Sequence, residues 1–336
     1  MKFPAASPEI IIEGRHVLTP EGTAKLGFPG TVFHMTFRGD SLSFQVKASS
    51  DDVYFDVSVD GGPQERLHAL KGEGTYPLCQ SAARGEHRVE LTRRTESWQG
   101  TCEILGFETN DEGCLLPSAP LPGRKLMFIG DSITGGESTD LRQGEAPLGN
   151  HRANARLSYG IVLARRLGAQ CHLVSYGGRG VIRDWQGIRD TRNAPQFYEL
   201  ALPDGPAIAW DPKRYVPDAI GICLGTNDFN QGIPDQNEFI NAYVEFVRKV
   251  RRDAPNAVIV LIESPIVHDA PGKSPLGSVL KAYIGGVIAR IADPRVIQAP
   301  VSHAVGTPVD AHPTGREHEI MASELEPVFR RALGWM

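Results

Sequence analysis

From Thr31 to about Phe107 the apolar residues fall on alternate positions: Phe33, Met35 and Phe37, then Leu42, Phe44 and Val46, then Val53, Phe55, Val57 and Val59, then Val89 and Leu91. A period of two is the mark of a strand with one buried face, because successive side chains point to opposite sides of a sheet. The run breaks at Gly39-Asp40 and at Asp60-Gly61-Gly62, residue types that turn a chain sharply. These features predict short antiparallel strands in a β-sandwich, jelly-roll-like, over residues 1–110.

Beyond Lys125 the period changes. Apolar strand-like runs at 126–129, 172–174, 219–224, 258–262 and 296–299 alternate with stretches of helical period. Leu157, Ile161, Ala164 and Leu167 fit one helix face, as do Ile240, Tyr243, Val244 and Val247, and then Leu276, Leu280, Tyr283 and Val287. Strand alternating with helix builds a parallel sheet covered on both sides, so the expected class is α/β, a three-layer α/β/α domain over residues 125–336. Residues 111–124, with Pro117, Pro120, Pro122 and Gly123, read as a linker. Two domains also suit 336 residues, since one core typically serves ~150.

The apolar fraction of 41% and charged fraction of 22% are those of a soluble globular chain. A net charge of -5, with basic residues clustered only in local pairs such as Arg251-Arg252, excludes nucleic acid as the expected partner. No apolar run approaches the ~20 residues that span a bilayer, so no membrane partner is expected. Met1-Lys2-Phe3-Pro4-Ala5 lacks the apolar stretch of a secretion signal, which favours the cytoplasm. The oligomeric state stays open. The five cysteines have no metal-site spacing, and a disulfide among Cys79, Cys102 and Cys114 is not indicated. Glu317-His318-Glu319 also lacks convergent ligand spacing, so neither metal nor cofactor is expected.

Four segments carry candidate chemistry. The run Leu126 to Ile129 ends in Gly130-Asp131-Ser132, placing a serine hydroxyl at the carboxyl edge of a sheet, where parallel α/β folds hold their sites. Gly177-Gly178-Arg179-Gly180 and Gly225-Thr226-Asn227-Asp228 each follow a strand run, and Asp310-Ala311-His312-Pro313 lies near the C-terminus. Ser132 is the candidate nucleophile. His312 is the candidate base, since Thr314 and Glu317 after it are spaced as a helix capping box that would pin its loop. A neutral imidazole, titrating at about 6.5 when unperturbed, can take the serine proton. The candidate oxyanion donors are the backbone N–H groups of Ser132 and Gly178 and the Asn227 amide. Singly each segment has an ordinary structural explanation; in this order they argue jointly for a serine hydrolase. His303 and His318 read as ordinary imidazoles.

The four segments resemble the blocks of the SGNH, or GDSL, hydrolase superfamily, named for its Ser, Gly, Asn and His, here Ser132, Gly178, Asn227 and His312. The resemblance covers roughly residues 124–336. With a β-sandwich in front and Gly177-Gly178-Arg179-Gly180-Val181-Ile182-Arg183 as second block, the chain is most similar to carbohydrate esterase family 2. That resemblance implies an acetyl esterase acting on acetylated polysaccharides such as xylan or glucomannan. One position departs from the pattern: the superfamily's acid three residues before the histidine is Val309 here, and the nearest acid is Asp310. Either Asp310 or a backbone carbonyl then orients the imidazole, giving a triad or a Ser-His dyad.

Trp185 is a candidate sugar platform, the alternative being a tryptophan packed between domains. Arg179, Arg183, Asp184 and Asp228 are candidates to bond sugar hydroxyls or else to pair with one another, and the stretch Gly135–Asn154 is expected to border the site. Two further readings are a lipase- or thioesterase-type acyl hydrolase, because the blocks fix mechanism and not acyl chain, and a carbohydrate-binding protein on the same scaffold.

Overall fold

The computed structural model describes residues 1–80, 85–110 and 112–336. The chain forms two compact units, Met1–Leu121 with Ala201–Ile208, and Pro122–Leu200 with Ala209–Met336.

The first unit is antiparallel throughout the described residues. One sheet holds β1 (Lys2–Pro4), β3 (His16–Leu18), β4 (Ala24–Leu26), β6 (Leu42–Ala48), β9 (Gly72–Cys79) and β11 (Cys102–Thr109), in the order β3-β4-β11-β6-β9 with β1 also on β11. The other holds β2 (Ile11–Glu13), β5 (Val32–Gly39), β7 (Val53–Val59), β8 (Glu65–Ala69), β10 (Gly85–Arg93) and β12 (Cys114–Leu116), in the order β12-β5-β10-β7-β8 with β2 also on β5. The alternating residues fill the core: Phe33, Met35, Phe37, Phe55 and Leu91 from one sheet, Leu42, Phe44, Val46 and Phe107 from the other. The connection from β7 to β8 runs over residues 60–64 and opens with a turn at Asp60-Gly61, both at positive φ (52° and 72°), closed by the Gly62 N–H on the Val59 carbonyl at 2.9 Å. Gly39-Asp40 behaves differently, because β5 and β6 lie in different sheets and the chain crosses between them there. Cys114–Leu116, inside the stretch expected to be a linker, pairs with β5 as a strand.

The second unit is built on a five-stranded parallel sheet ordered β14-β13-β15-β16-β17. Its strands are β13 (Arg124–Gly130), β14 (Ala169–Ser175), β15 (Ala219–Cys223), β16 (Val258–Ile262) and β17 (Val296–Ala299). The helices are the single turn α1 (Ser132–Gly135), α2 (Tyr159–Arg166), the short α3 (Ala194–Phe197) and α4 (Thr226–Asn230), then α5 (Gln236–Asp253), α6 (Leu276–Ile291) and α7 (Gly315–Leu333). Helix α2 packs on α7 and α5 on α6, so both sheet faces are covered.

One expectation needs correction here. Helix α2 starts only at Tyr159, because Ser158 is extended (φ −62°, ψ 143°). Leu157 therefore lies in a preceding 3-10 turn, and the buried face is Tyr159, Val162, Leu163 and Ala164, with Ile161 half-buried. All five cysteines are free, and no described helix is long and apolar enough to cross a membrane.

Register sets the location of the site. Gly130 at the end of β13 lies level with Ser175 of β14 on one side and Cys223 of β15 on the other. Successive strands are added to opposite sides of β13, and a crevice opens at the carboxyl ends where winding reverses. The segments after β13, β14 and β15 all emerge at that crevice.

Candidate active site

Ser132 sits on a sharp strand-to-helix elbow. Asp131 caps α1, its Oδ1 accepting the Ile133 N–H at 3.1 Å. A Cβ on Gly130 would run into the Thr134 side chain and lie 2.9 Å from the Cys223 carbonyl oxygen, so the elbow needs glycine there. As the first residue of α1, Ser132 has an N–H with no acceptor inside the helix.

The Ser132 hydroxyl lies 2.9 Å from His312 Nε2, and His312 Nδ1 lies 2.7 Å from Asp310 Oδ1. The same Oδ1 accepts the His312 backbone N–H at 3.0 Å, an Asx turn that lets an acid two residues upstream reach the ring. An ionised carboxylate only accepts, so Nδ1 carries the proton and Nε2 offers its lone pair to the serine. Val309, at the position of the superfamily's acid, is 55% exposed. The loop is fastened from behind: Thr314 and Glu317 form a reciprocal capping box on α7, and Glu317 Oε1 also accepts the Val305 N–H at 2.8 Å. Asp310 Oδ2 accepts from the Ser138 hydroxyl, and the Arg152 guanidinium stands 3.9 Å away.

These contacts set the charges. Burial works to raise the Asp310 pKa, but the bonds from the His312 ring, the Ser138 hydroxyl and the His312 N–H hold it well below the usual carboxylate range. Burial works to lower the His312 pKa; the Asp310 bond and the charges of Glu137, Asp310 and Asp131 outweigh it, and the net shift is upward. Burial pushes Asp131 up to about 6.

Gly178 takes φ +75°, and a Cβ there would lie 2.7 Å from the Trp185 ring, which packs on the glycine while remaining 52% exposed. Neither the Ser132 N–H nor the Gly178 N–H donates to another group among the described residues. The Asn227 amide nitrogen donates to Asp131 Oδ2 at 3.1 Å and to the Arg179 carbonyl at 3.0 Å. Those two bonds tie the segments after β13, β14 and β15 together, and they leave the Asn227 amide to meet a substrate oxygen only by sharing a hydrogen.

Several candidate sugar ligands turn inward. Asp228 is fully buried and accepts the backbone N–H groups of Val181, Ile182 and Arg183 at 2.8–3.3 Å. Its carboxyl is pushed to about 6 by burial against the pull of those donors, and it shapes the second block rather than a substrate contact. Arg183 donates to the carbonyls of Asp228 and Gly232. Arg179 pairs with Asp184 at 3.4 Å and lies over the Tyr176 ring. His318 is buried and neutral, accepting the Tyr159 N–H at 3.1 Å. Among the described residues no three His, Cys, Asp or Glu side chains converge as metal ligands. Residues not singled out from the sequence are Asp131, Glu137, Ser138 and Arg152; the capping position before Ser132 signals Asp131, whereas no period or motif marks the other three.

Residues 12–120 match the carbohydrate esterase 2 N-terminal family, and residues 128–319 match the GDSL-like lipase/acylhydrolase family. The chain is 38% identical over 333 residues, 98% of its length and 91% of the relative's, to an acetylxylan esterase/glucomannan deacetylase of Cellvibrio japonicus (strain Ueda107). The solved structure of a family two carbohydrate esterase from Cellvibrio japonicus superposes with a TM-score of 0.93 at 36% identity, covering 100% of this chain and 98% of that one. The chain belongs to carbohydrate esterase family 2. A family two esterase from Clostridium thermocellum, solved in complex with cellohexaose, is also similar, with a TM-score of 0.89, 28% identity and coverage of 97% and 100%. The four blocks all lie within residues 128–319, the range that matches the GDSL-like family.

Proposed function

We propose that this family 2 esterase removes O-acetyl groups from carbohydrates of the xylan or glucomannan type, through an acyl-enzyme on Ser132. His312 Nε2 takes the hydroxyl proton as Ser132 Oγ attacks the acetyl carbonyl. The carbonyl oxygen becomes an oxyanion facing the Ser132 and Gly178 N–H groups, with Asn227 as a shared third donor. His312 returns the proton to the departing sugar oxygen, leaving acetyl on Ser132. It then activates water, whose attack releases acetate and restores the serine. Asp310 holds the ring tautomer and balances the imidazolium that forms at each step. Trp185, exposed and packed on Gly178, would offer an apolar platform to a sugar face beside the reacting ester.

The observation that carries this reading is the unbroken line of hydrogen bonds from Ser132 through His312 to Asp310 at the carboxyl edge of the sheet. The test is acetate release from acetylated xylan, acetylated glucomannan and simple sugar acetates, beside a matched pair of acetyl and octanoyl esters. We expect acetate from at least one polysaccharide and preference for the acetyl ester. Preference for octanoyl with no polysaccharide deacetylation would sink the assignment in favour of a lipase-type hydrolase.

A further inference from the structure

The stretch between α1 and α2 holds one of three described non-glycine residues at positive φ: Ser138, at 59° and 4% exposed. Glycine, asparagine and aspartate adopt that backbone more readily than serine, so the conformation is not explained by local preference. What serine contributes is a hydroxyl, and that hydroxyl donates to Asp310 Oδ2. Behind it Arg152, 2% exposed, donates to the Ser138 carbonyl at 3.4 Å and stands 3.9 Å from Asp310 Oδ2. The segment is stitched to its own far end, Thr139 donating to the Asn154 carbonyl at 3.0 Å and the Asp140 N–H to the Arg152 carbonyl at 2.9 Å.

Asp310 Oδ1 is already committed to the His312 ring and backbone, so the carboxylate plane is fixed only if Oδ2 is held as well. From this arrangement we infer that Ser138 is a positioning residue that locks Asp310 behind His312 and makes an acid two residues from the histidine serviceable in place of the one the wider superfamily carries three residues before it. The inference rests on the Ser132, His312 and Asp310 reading above. Removing the tether loosens the ring-to-carboxylate bond, which lessens the upward pull on the imidazole.

The test compares the full-length protein with Ser138→Gly, Asp310→Ala and the double variant, on a small acetyl ester. Glycine removes the hydroxyl while suiting the positive φ, so relief at the backbone offsets part of the lost bond and Ser138→Gly should still unfold in one cooperative thermal transition. We expect kcat to fall about tenfold, the scale of one hydrogen bond to a charged group, with KM little changed. The acid limb of kcat/KM should move to lower pH, and Ser138→Gly should add nothing in the Asp310→Ala background. An unchanged kcat and pH profile, or the same fold-loss in both backgrounds, overturns the inference while leaving the esterase reading intact. Full activity in Asp310→Ala overturns the triad reading, and this inference with it.

Discussion

One oxygen of Asp310 serves both the loop and the ring. By accepting the His312 N–H and Nδ1–H together, it couples the turn that shapes the segment to the aim of the imidazole. Sequence order singles out Ser132, Gly178, Asn227 and His312 as candidates, because the first three follow strand runs and the histidine precedes a capping box near the C-terminus. It does not choose between Asp310 and a backbone carbonyl, since that choice depends on loop curvature. Asp228 illustrates the converse: an acid at a site loop looks like a ligand until its burial against three backbone N–H groups is seen. Because His312 is held toward its charged form and only the neutral ring accepts a proton, activity must fall as pH drops through its raised pKa. We predict an acid limb in kcat/KM for a neutral acetyl ester with its midpoint above about 6.5, the unperturbed imidazole value. A midpoint below that value would contradict the assignment of His312 as base.

At the scale of elements, the site depends on segments pinned at their ends. The capping box at Thr314 and Glu317 was legible as a spacing of three, and it fastens the loop that carries His312. Strand runs at 258–262 and 296–299 coincide with β16 and β17: Val258–Ile262 is apolar throughout and stops at Glu263, and Val296–Ala299 lies between Arg295 and Pro300. Helix α2 was misphased because the extended Ser158 separates two stretches that the apolar spacing joins. The second block is held by Asp228, and Gly180 allows the approach, since a Cβ there would overlap the carboxylate. Asp228→Asn keeps an oxygen for the three N–H groups but turns an amide NH2 toward the Val181 N–H, which Oδ2 now accepts at 2.9 Å, setting donor against donor in a buried place at a cost of about 1–3 kcal/mol. Chemical denaturation at pH 7.5 should register that loss together with reduced turnover; unchanged stability would mean that the block holds its shape without the carboxylate.

On the scale of the whole molecule, a change of period from two to helical separates an antiparallel unit from a parallel one, and both kinds of sheet were readable from the chain. Which strands pair was not. Alternation reports a buried face but not a neighbour, so β5 and β6, adjacent in sequence, belong to different sheets. Nor does any pattern announce that Ala201–Ile208 joins the first unit, since only distant contacts bring it there. The parallel sheet gathers Ser132 and His312, 180 positions apart, into hydrogen-bond distance, and the proposed acyl transfer depends on that meeting. The most direct test is to mix the intact protein with an acetyl ester, quench in acid within the first turnover, and map the modification by mass spectrometry. An acetyl group on the peptide bearing Ser132, absent in Ser132→Ala together with acetate release, is the predicted result; sustained acetate release by Ser132→Ala, or acetylation at another residue, would contradict it.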